Sequence, residues 1–393
     1  MKTSLSKLTA SQRTESFGTS IFTEISALAH EYNAVNLGQG FPDFDGPIEI
    51  KRIAMEAIAS GRNQYAAMSG ENGLKKAIAR HSSRFYQHDI DPSSQITVMS
   101  GATEALFSTI LAFINPGDEV IVFEPCYDSY VPAISIAGGI PVPVTLHEPL
   151  YRFNPVELKT AFSEKTKAII INTPHNPSGT VFNRSELGFI SDLCNEFDVL
   201  AIVDEVYEHL VFDNHIHIQL RSMPDMENRT ITISSIGKTF SFTGWKLGWA
   251  ISSEALQKPI RNVHQFNVFS SITPMQYAAA AALDLPDEYY SQLVQDYRKK
   301  RDYLSSILSH AGLYPIVSEG TYFMMADTVD FPFAHTNDFA KWLIKTCGIA
   351  CIPPGSFYLR PERASTYVRF CFCKKYSTLE TAAERFLTIK NYI

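Results

Sequence analysis

Short, mostly apolar runs rich in β-branched residues alternate with helical stretches from residue 96 onward. The runs lie at residues 96–99, 119–123, 168–171, 200–203 and 230–233. Consecutive rather than alternating apolar positions are typical of strands that are buried on both faces. Helices that could cover these strands are predicted at residues 103–114, 127–137 and 185–197. The alternation therefore predicts α/β architecture with a mainly parallel sheet, and ligands should bind at the carboxyl ends of its strands.

The pattern changes after residue 286. A long helix is predicted at residues 287–311, followed by β-rich segments near 321–326 and 367–373 and a last helix near 379–387. These elements indicate a second, smaller α/β unit. We predict three regions, namely a large domain (residues 46–285), a small domain (286–393) and an N-terminal arm that forms part of the small domain (1–45).

Composition limits the possible functions. The 393 residues are 45% hydrophobic, which is enough to form two cores. The net charge of −7 argues against nucleic-acid binding, which needs clustered lysines and arginines. The N-terminus lacks an apolar leader, and no window approaches the roughly 18 apolar residues of a membrane span. We therefore expect a cytoplasmic protein that binds neither nucleic acid nor membrane.

The six cysteines lack the paired C-x-x-C spacing of zinc sites and are spread through apolar segments. They stand at positions 126, 194, 347, 351, 371 and 373. We expect reduced structural thiols, without disulfides and without a bound metal.

Lys238 follows the apolar run at 230–233, within Ser234-Ser-Ile-Gly-Lys238-Thr-Phe-Ser-Phe-Thr-Gly-Trp-Lys246. A strand that ends in a loop of small residues presents a single amine in a confined site. The second cation, Lys246, would depress the pKa of Lys238 or share an anionic ligand with it. A solvated loop lysine is the alternative, but the segments described next favour a lysine that performs covalent chemistry.

Gly101-Ala102-Thr103 lies between the strand at 96–99 and the following helix. Small residues allow close approach of a ligand, and a helix N-terminus offers free N–H groups to a phosphate. An ordinary helix start would look much the same. The segment is therefore a candidate phosphate site only when it is combined with other motifs.

Two charged residues stand in apolar runs. Asp204 ends the run at 200–203, where a carboxylate needs a cationic partner such as a protonated ring nitrogen, unless it caps the next turn. Arg369 lies within 367–373, where a guanidinium needs an anion, either from a salt bridge or from a ligand carboxylate. Asn176-Pro-Ser-Gly179 follows the run at 168–171 and by itself predicts only a turn.

Taken together, these motifs resemble the fold-type I, pyridoxal-phosphate (PLP) dependent aminotransferases of class I/II, and the resemblance covers most of the chain. The motifs are Ser235-Ile-Gly-Lys238 followed by Lys246, Gly101-Ala-Thr103, Asn176-Pro-Ser-Gly179, Asp204-Glu-Val-Tyr207 and Arg369-Phe-Cys-Phe372. The resemblance implies a mainly parallel seven-stranded sheet between helices, a smaller α/β domain, and PLP attached to Lys238 as an imine. Lys246 departs from aspartate-type enzymes, which carry arginine there, but it still supplies a cation.

The family also implies roles for individual residues. Lys238 would act as the catalytic base, Asp204 would keep the ring nitrogen protonated, and Arg369 would bind the substrate carboxylate. The remaining cofactor contacts would come from Gly101, Ala102, Thr103, Ser235 and Lys246 at the phosphate, Tyr127 stacked on the ring, Tyr207 at the ring hydroxyl, and Asn176 between ring hydroxyl and substrate. Tyr65 would reach the phosphate of a neighbouring subunit, which predicts a homodimer. His175 is a weaker candidate.

The segment Leu37-Gly-Gln-Gly40-Phe41, together with Phe22, is similar to the kynurenine, glutamine and methionine branch of the family. Strings at 173–177, 204–209 and 319–323 look especially like bacterial methionine aminotransferases. By this resemblance Gly40, Phe22 and a Phe269 from the partner subunit would bind substrate. A pocket of aromatic rings favours an L-amino acid with an apolar, thioether or aromatic side chain, whose amino group would pass to a 2-oxo acid by ping-pong kinetics.

Two alternatives use the same motifs. A PLP-dependent C–S β-lyase, such as one acting on cysteine conjugates, would use the same lysine but expel a thiolate. A sensing domain of a transcription regulator would require an N-terminal helix-turn-helix, for which we expect no room because fewer than 40 residues precede Gly38.

Overall fold

The computed structural model describes residues 11–15, 17–18, 20–360 and 366–391. Its α-helices are α1 (Ile21–Glu31), α2 (Ile48–Ala59), α3 (Asn72–Tyr86), α4 (Gly101–Phe113), α5 (Tyr130–Ala137), α6 (Pro155–Ala161), α7 (Arg184–Glu196), α8 (Ile236–Thr239), α9 (Glu254–Asn267), α10 (Thr273–Leu283), α11 (Asp287–His310), α12 (Thr336–Trp342) and α13 (Tyr376–Phe386). No helix in these ranges is both long and apolar enough to cross a membrane.

The strands form three sheets. They are β1 (Val35–Asn36), β2 (Ile96–Met99), β3 (Glu119–Glu124), β4 (Ile140–His147), β5 (Arg152–Phe153), β6 (Thr166–Asn172), β7 (Leu200–Asp204), β8 (Thr230–Ser235), β9 (Gly248–Ile251), β10 (Tyr314–Pro315), β11 (Phe323–Asp327), β12 (Ile349–Ala350) and β13 (Tyr367–Cys371). All five predicted runs of the large sheet are strands, within three residues of the predicted bounds.

The large sheet has the strand order β2-β9-β8-β7-β6-β3-β4-β5. Strands β8, β7, β6, β3 and β4 are mutually parallel, whereas β9 is antiparallel to both β8 and β2. The mainly parallel α/β fold is therefore confirmed. An eighth strand is added to the expected seven, because the two residues of β5 pair antiparallel with the end of β4.

Helices cover both faces of this sheet. Along β6, Ile169 and Ile171 enter one apolar core with α6 and α7, whereas Ala168 and Ile170 enter the core formed with α4, α5 and α9. Successive side chains of a strand point to opposite faces, so a strand buried on both sides must be apolar at every position. The interior positions 168–171 of β6 are accordingly all apolar.

A smaller sheet, β10-β11-β13, is antiparallel, and β1 pairs in parallel with β12. The core around these strands includes Ile25, Ala29 and Leu37 of the N-terminal arm together with residues between 297 and 389. The arm thus packs into the smaller unit. The domain boundaries at residues 45 and 285 remain predictions.

Candidate active site

The carboxyl ends of β2, β3, β6, β7 and β8 meet at one edge of the large sheet, since β2 runs antiparallel to β9 and hence in the direction of β8. A cavity lies at this edge. Ten of the predicted site residues line it, namely Gly101, Ala102, Thr103, Tyr127, Asn176, Asp204, Tyr207, Ser235, Lys238 and Lys246. They come from segments more than 130 residues apart, from Gly101 to Lys246.

Lys238 lies in the single-turn helix α8, directly after β8. Its Nζ lies 5.5 Å from the centre of the Tyr207 ring and 5.6 Å from that of Tyr322. Burial is the main cause that lowers the pKa of Lys238 to about 8, and Lys246 contributes only a minor part. Lys246 thus acts in the predicted direction, although desolvation of the amine has the larger effect.

Lys246 and the start of α4 form a pocket for an anion. Gly101 has φ +83°, and a Cβ placed on it would lie 3.5 Å from Lys246 Nζ. The first turn of α4 has no side-chain cap, so its N–H groups face the cavity mouth without a side-chain acceptor. The cation and these N–H groups fit the phosphate of PLP.

Gly248 lets α4 approach the sheet closely. A Cβ at this position would lie 2.7 Å from both Ala102 N and Ser234 O. Any larger residue would push the helix start away from β8 and β9. The geometry of the anion pocket thus depends on a glycine outside the predicted motifs.

Asp204 is buried at the end of β7. Its Oδ2 accepts a hydrogen bond from the Tyr130 hydroxyl at 2.8 Å, and its Oδ1 accepts one from Val206 N at 3.3 Å. Burial raises the pKa of Asp204. Within the described ranges no lysine, arginine or histidine forms a salt bridge with this carboxylate. A buried carboxylate of this kind fits the ring nitrogen of PLP, which would share a proton with it.

Arg369 lies in β13, buried, and contacts the loop after β6. Its Nη1 donates to Asn176 Oδ1 at 2.8 Å and its Nη2 donates to Gly38 O at 2.9 Å, while Nε has no hydrogen-bond partner. Asn176 N in turn donates to Asn172 Oδ1 at 2.7 Å. The guanidinium is therefore held by neutral acceptors and retains capacity for an anion.

Phenyl rings surround the Arg369 guanidinium. Its Cζ lies 3.9 Å from the Phe323 ring centre, 5.2 Å from that of Phe22 and 5.1 Å from that of Phe357. Gly40 packs against the Phe323 ring, with no space for a side chain. The structure therefore brings Phe22 and Gly40 to Arg369, although they do not line the cavity itself.

Tyr65 and Phe269 lie outside the cavity of this subunit. Their rings form an edge-to-face pair with centres 5.3 Å apart, and the side chains are 82% and 44% exposed. Their predicted contributions to a neighbouring subunit stay predictions.

His175 is held within its own loop. Its Nδ1 lies 2.7 Å from Ser178 Oγ, and burial lowers its pKa to about 3. It is therefore neutral near pH 7 and does not line the cavity, which favours the structural interpretation over a catalytic one.

Sequence reasoning missed several residues next to the site, among them Asn172, Tyr130 and Tyr322. Asn172 lies beside Asp204 in the sheet register and donates from Nδ2 to Asp204 O at 2.9 Å. It ends an apolar run as Asp204 does, so the same criterion could have found it. Tyr130 and Tyr322 are both buried, and nothing in the sequence separates them from core tyrosines.

The family model for aminotransferase class I and II matches residues 32–386. The chain belongs to this family of PLP-dependent transaminases. Among its relatives, a methionine aminotransferase of Escherichia coli (strain K12) is 42% identical over 368 residues, which are 94% of this chain and 95% of that protein. Kynurenine–oxoglutarate transaminase 3 of Rattus norvegicus is 40% identical over 406 residues, which cover 96% of this chain and 89% of that protein.

Solved structures agree with this assignment. An Escherichia coli protein with an identified methionine aminotransferase function has a TM-score of 0.93 and 41% identity, over 96% of this chain and 99% of that chain. N-succinyldiaminopimelate aminotransferase from Mycobacterium tuberculosis has a TM-score of 0.94 and 39% identity, over 97% of this chain and 100% of that chain. These relatives are aminotransferases, so the β-lyase alternative is not favoured.

Proposed function

We propose that this enzyme transfers the amino group of an L-amino acid with an apolar, thioether or aromatic side chain to a 2-oxo acid. Methionine is the favoured donor, and kynurenine, glutamine and aromatic amino acids are further candidates. The observation that carries this proposal is the buried Arg369 guanidinium, which lacks a carboxylate partner among the described residues and is surrounded by Phe22, Phe323 and Phe357. A substrate carboxylate would bind the cation, and its side chain would pack near the rings.

The cofactor would be held by residues that already converge on the cavity. Gly101, Ala102, Thr103, Ser235 and Lys246 would bind the phosphate, Asp204 the ring nitrogen, Tyr207 and Asn176 the ring hydroxyl, and Tyr127 would stack on the ring. When bound, PLP supplies an aromatic ring that takes up the electron pair released at the substrate Cα. Burial of Asp204 favours a shared proton at the ring nitrogen.

Lys238 would move the proton. With a pKa of about 8, its Nζ can be neutral in an appreciable fraction of molecules near neutral pH, and it can accept the Cα proton and return it. Arg369 and Asn176 would fix the substrate carboxylate and so direct Cα toward Lys238. Both substrates carry a carboxylate beside the reacting carbon, so the same two residues would orient the amino donor and then the oxo acid, in a ping-pong sequence.

We also propose a homodimer in the cytoplasm. Tyr65, Phe266, Phe269 and Ile272 expose apolar side chains in neighbouring segments, with Phe266 87% exposed, and an exposed patch of this kind marks an interface. All six cysteines are buried and free, which suits a reducing compartment.

The test compares the wild-type protein with Lys238→Ala and, as control, with Lys258→Ala, which alters an exposed lysine on α9. Wild type and Lys258→Ala should show a visible absorbance band that methionine removes and a 2-oxo acid restores. Lys238→Ala should lack the lysine-bound band and lose transamination. Pyruvate and ammonia from sulfur-substituted substrates, without amino transfer, would contradict the proposal.

A further inference from the structure

Tyr322 connects the two halves of the site although no role was predicted for it. Its hydroxyl donates to Gly40 O at 2.7 Å and interacts with the Tyr207 hydroxyl, which partly offsets the rise that burial causes in the pKa of Tyr207. The two rings meet edge to face with centres 5.2 Å apart, and both face Lys238 Nζ. One side chain thus contacts the residue predicted at the cofactor ring and the backbone predicted at the substrate.

The backbone before Tyr322 is strained in a way that fixes this position. Thr321 has φ +63°, in the left-handed region that β-branched residues rarely adopt. Thr321 N donates to Leu210 O at 2.8 Å, and Thr321 Oγ1 accepts from Phe323 N at 3.0 Å. Such strain persists where the surrounding structure holds it, and it is concentrated at functional sites.

The Tyr322 hydroxyl has one proton and two acceptors within reach. While the proton goes to Gly40 O, Tyr322 cannot donate to the Tyr207 oxygen. When the Tyr207 hydroxyl donates to the cofactor, Tyr322 can make it a stronger donor only by turning its own proton from Gly40 O to the Tyr207 oxygen. The hydrogen bond at the substrate segment and the donor strength of Tyr207 are therefore in competition.

We propose that Tyr322 is a positioning residue that couples the substrate-binding segment at residues 38–41 to the cofactor-binding hydroxyl of Tyr207. This inference rests on the proposed function. Tyr322 does not contact the reacting atoms in this proposal. Its role is to hold Gly40 O in place for the substrate and to set how strongly Tyr207 donates to the cofactor.

Tyr322→Phe removes the hydroxyl and keeps the ring. Without this hydroxyl, Tyr207 receives no hydrogen bond from residue 322 and becomes a weaker donor to the cofactor oxygen. That oxygen is more negative in the unprotonated form of the lysine-bound cofactor, so a weaker donor destabilises this form and raises the pH midpoint of the visible absorbance change. We expect a rise of about 0.5 to 1 pH unit, the size that one neutral hydrogen bond allows. Loss of the bond to Gly40 should also raise the KM for the amino donor several-fold, with a smaller change in kcat.

Tyr297→Phe is the matched control. Tyr297 is equally buried and packs on Tyr322 with ring centres 6.0 Å apart, but its hydroxyl faces Ser241. This variant should leave both the midpoint and KM unchanged. An unchanged midpoint in Tyr322→Phe, or an equal shift in both variants, would overturn the proposal.

Gly40→Ala tests the same coupling from the other side and decides the matter if Tyr322→Phe fails to fold. An added Cβ would meet the Phe323 ring and lie 3.3 Å from Tyr322 Cε2, which displaces Gly40 O and frees the Tyr322 proton for Tyr207. The midpoint should then fall, opposite in sign to Tyr322→Phe, and a rise or no change would contradict the coupling. A wild-type enzyme that binds PLP but does not transaminate methionine would refute the proposed substrate, and the midpoints would still decide the role of Tyr322.

Discussion

Arg369 and Arg301 show two ways of burying a guanidinium in this chain. Arg301 is paired with Asp213 at 2.7 Å and with Asp302 at 2.8 Å. Arg369 is buried just as deeply, yet its hydrogen bonds run to the neutral acceptors Asn176 Oδ1 and Gly38 O. Because a buried cation without an anion is costly, the chain stabilises Arg301 internally and leaves Arg369 dependent on a ligand.

Arg369→Lys should therefore weaken substrate binding. A lysine cannot make the paired, planar contact with a carboxylate, and the loss of such a buried interaction costs about 2 kcal/mol or more, equivalent to about 30-fold in kcat/KM. Steady-state kinetics with methionine would measure it. Arg301→Lys is the control and should leave kcat/KM within a few-fold of wild type, whereas equal losses in both variants would show a general packing effect.

The sequence revealed Asp204 and Arg369 because each breaks the apolar pattern around it, and Lys238 because it follows an apolar run in a loop of small residues. A charged side chain at the end of, or inside, a buried strand needs a partner, and that requirement is visible without coordinates. Tyr130 and Phe357 contact the same groups but obey the apolar pattern, so only the structure separates them from core residues. The main cause of the lowered pKa of Lys238 could not be read from the sequence either, since burial depends on the whole fold and not on the neighbouring lysine in sequence.

At the level of elements, the sequence revealed β2 at one edge of the large sheet and the parallel strands β3, β6, β7 and β8. β4 was missed because Pro141 and Pro143 lack N–H groups and argue against a strand. The two prolines are at alternate positions, so both missing donors fall on one edge of β4 and the other edge still pairs with β3. β9 was missed because four residues carry too little periodic signal.

The contact between β9 and α4 gives a prediction at this scale. Gly248→Ala would force the first turn of α4 away from β8, at a cost of about 1–3 kcal/mol for overpacking, and the anion pocket moves with it. When the Gly248→Ala apoenzyme is titrated with PLP, its affinity for PLP should be at least about 10-fold lower than that of wild type.

Gly244→Ala provides the control. Gly244 lies four residues earlier, without positive φ and without any atom within 4 Å of an added Cβ. The affinity of the Gly244→Ala variant for PLP should match that of wild type. Wild-type affinity in Gly248→Ala would show that the helix start does not set the cofactor site.

At the scale of the whole molecule, Tyr65 and Phe269 lie outside the cavity and expose their rings. If Tyr65 completes the site of a neighbour, two defective subunits should complement each other. A hybrid of Lys238→Ala and Tyr65→Ala subunits contains one site with both defects and one with neither. We expect about half the wild-type activity per hybrid dimer, measured after mixing and reassembly.

Each variant treated alone should stay defective, which serves as the control. If Tyr65 served its own subunit, every site in the hybrid would carry one defect and mixing would restore nothing. The dimer was predicted only by resemblance, because residues that act across an interface look like ordinary surface aromatics in one chain.

The hydrogen bonding of Arg369 to neutral acceptors has a consequence for the rate of the overall reaction. If this guanidinium binds both the amino donor and the oxo acid, the two acids compete for one binding site. Each acid reacts with only one form of the cofactor. An excess of either acid would then occupy enzyme molecules in the wrong form and slow turnover, so that the rate responds to the ratio of the two acids and not only to their amounts.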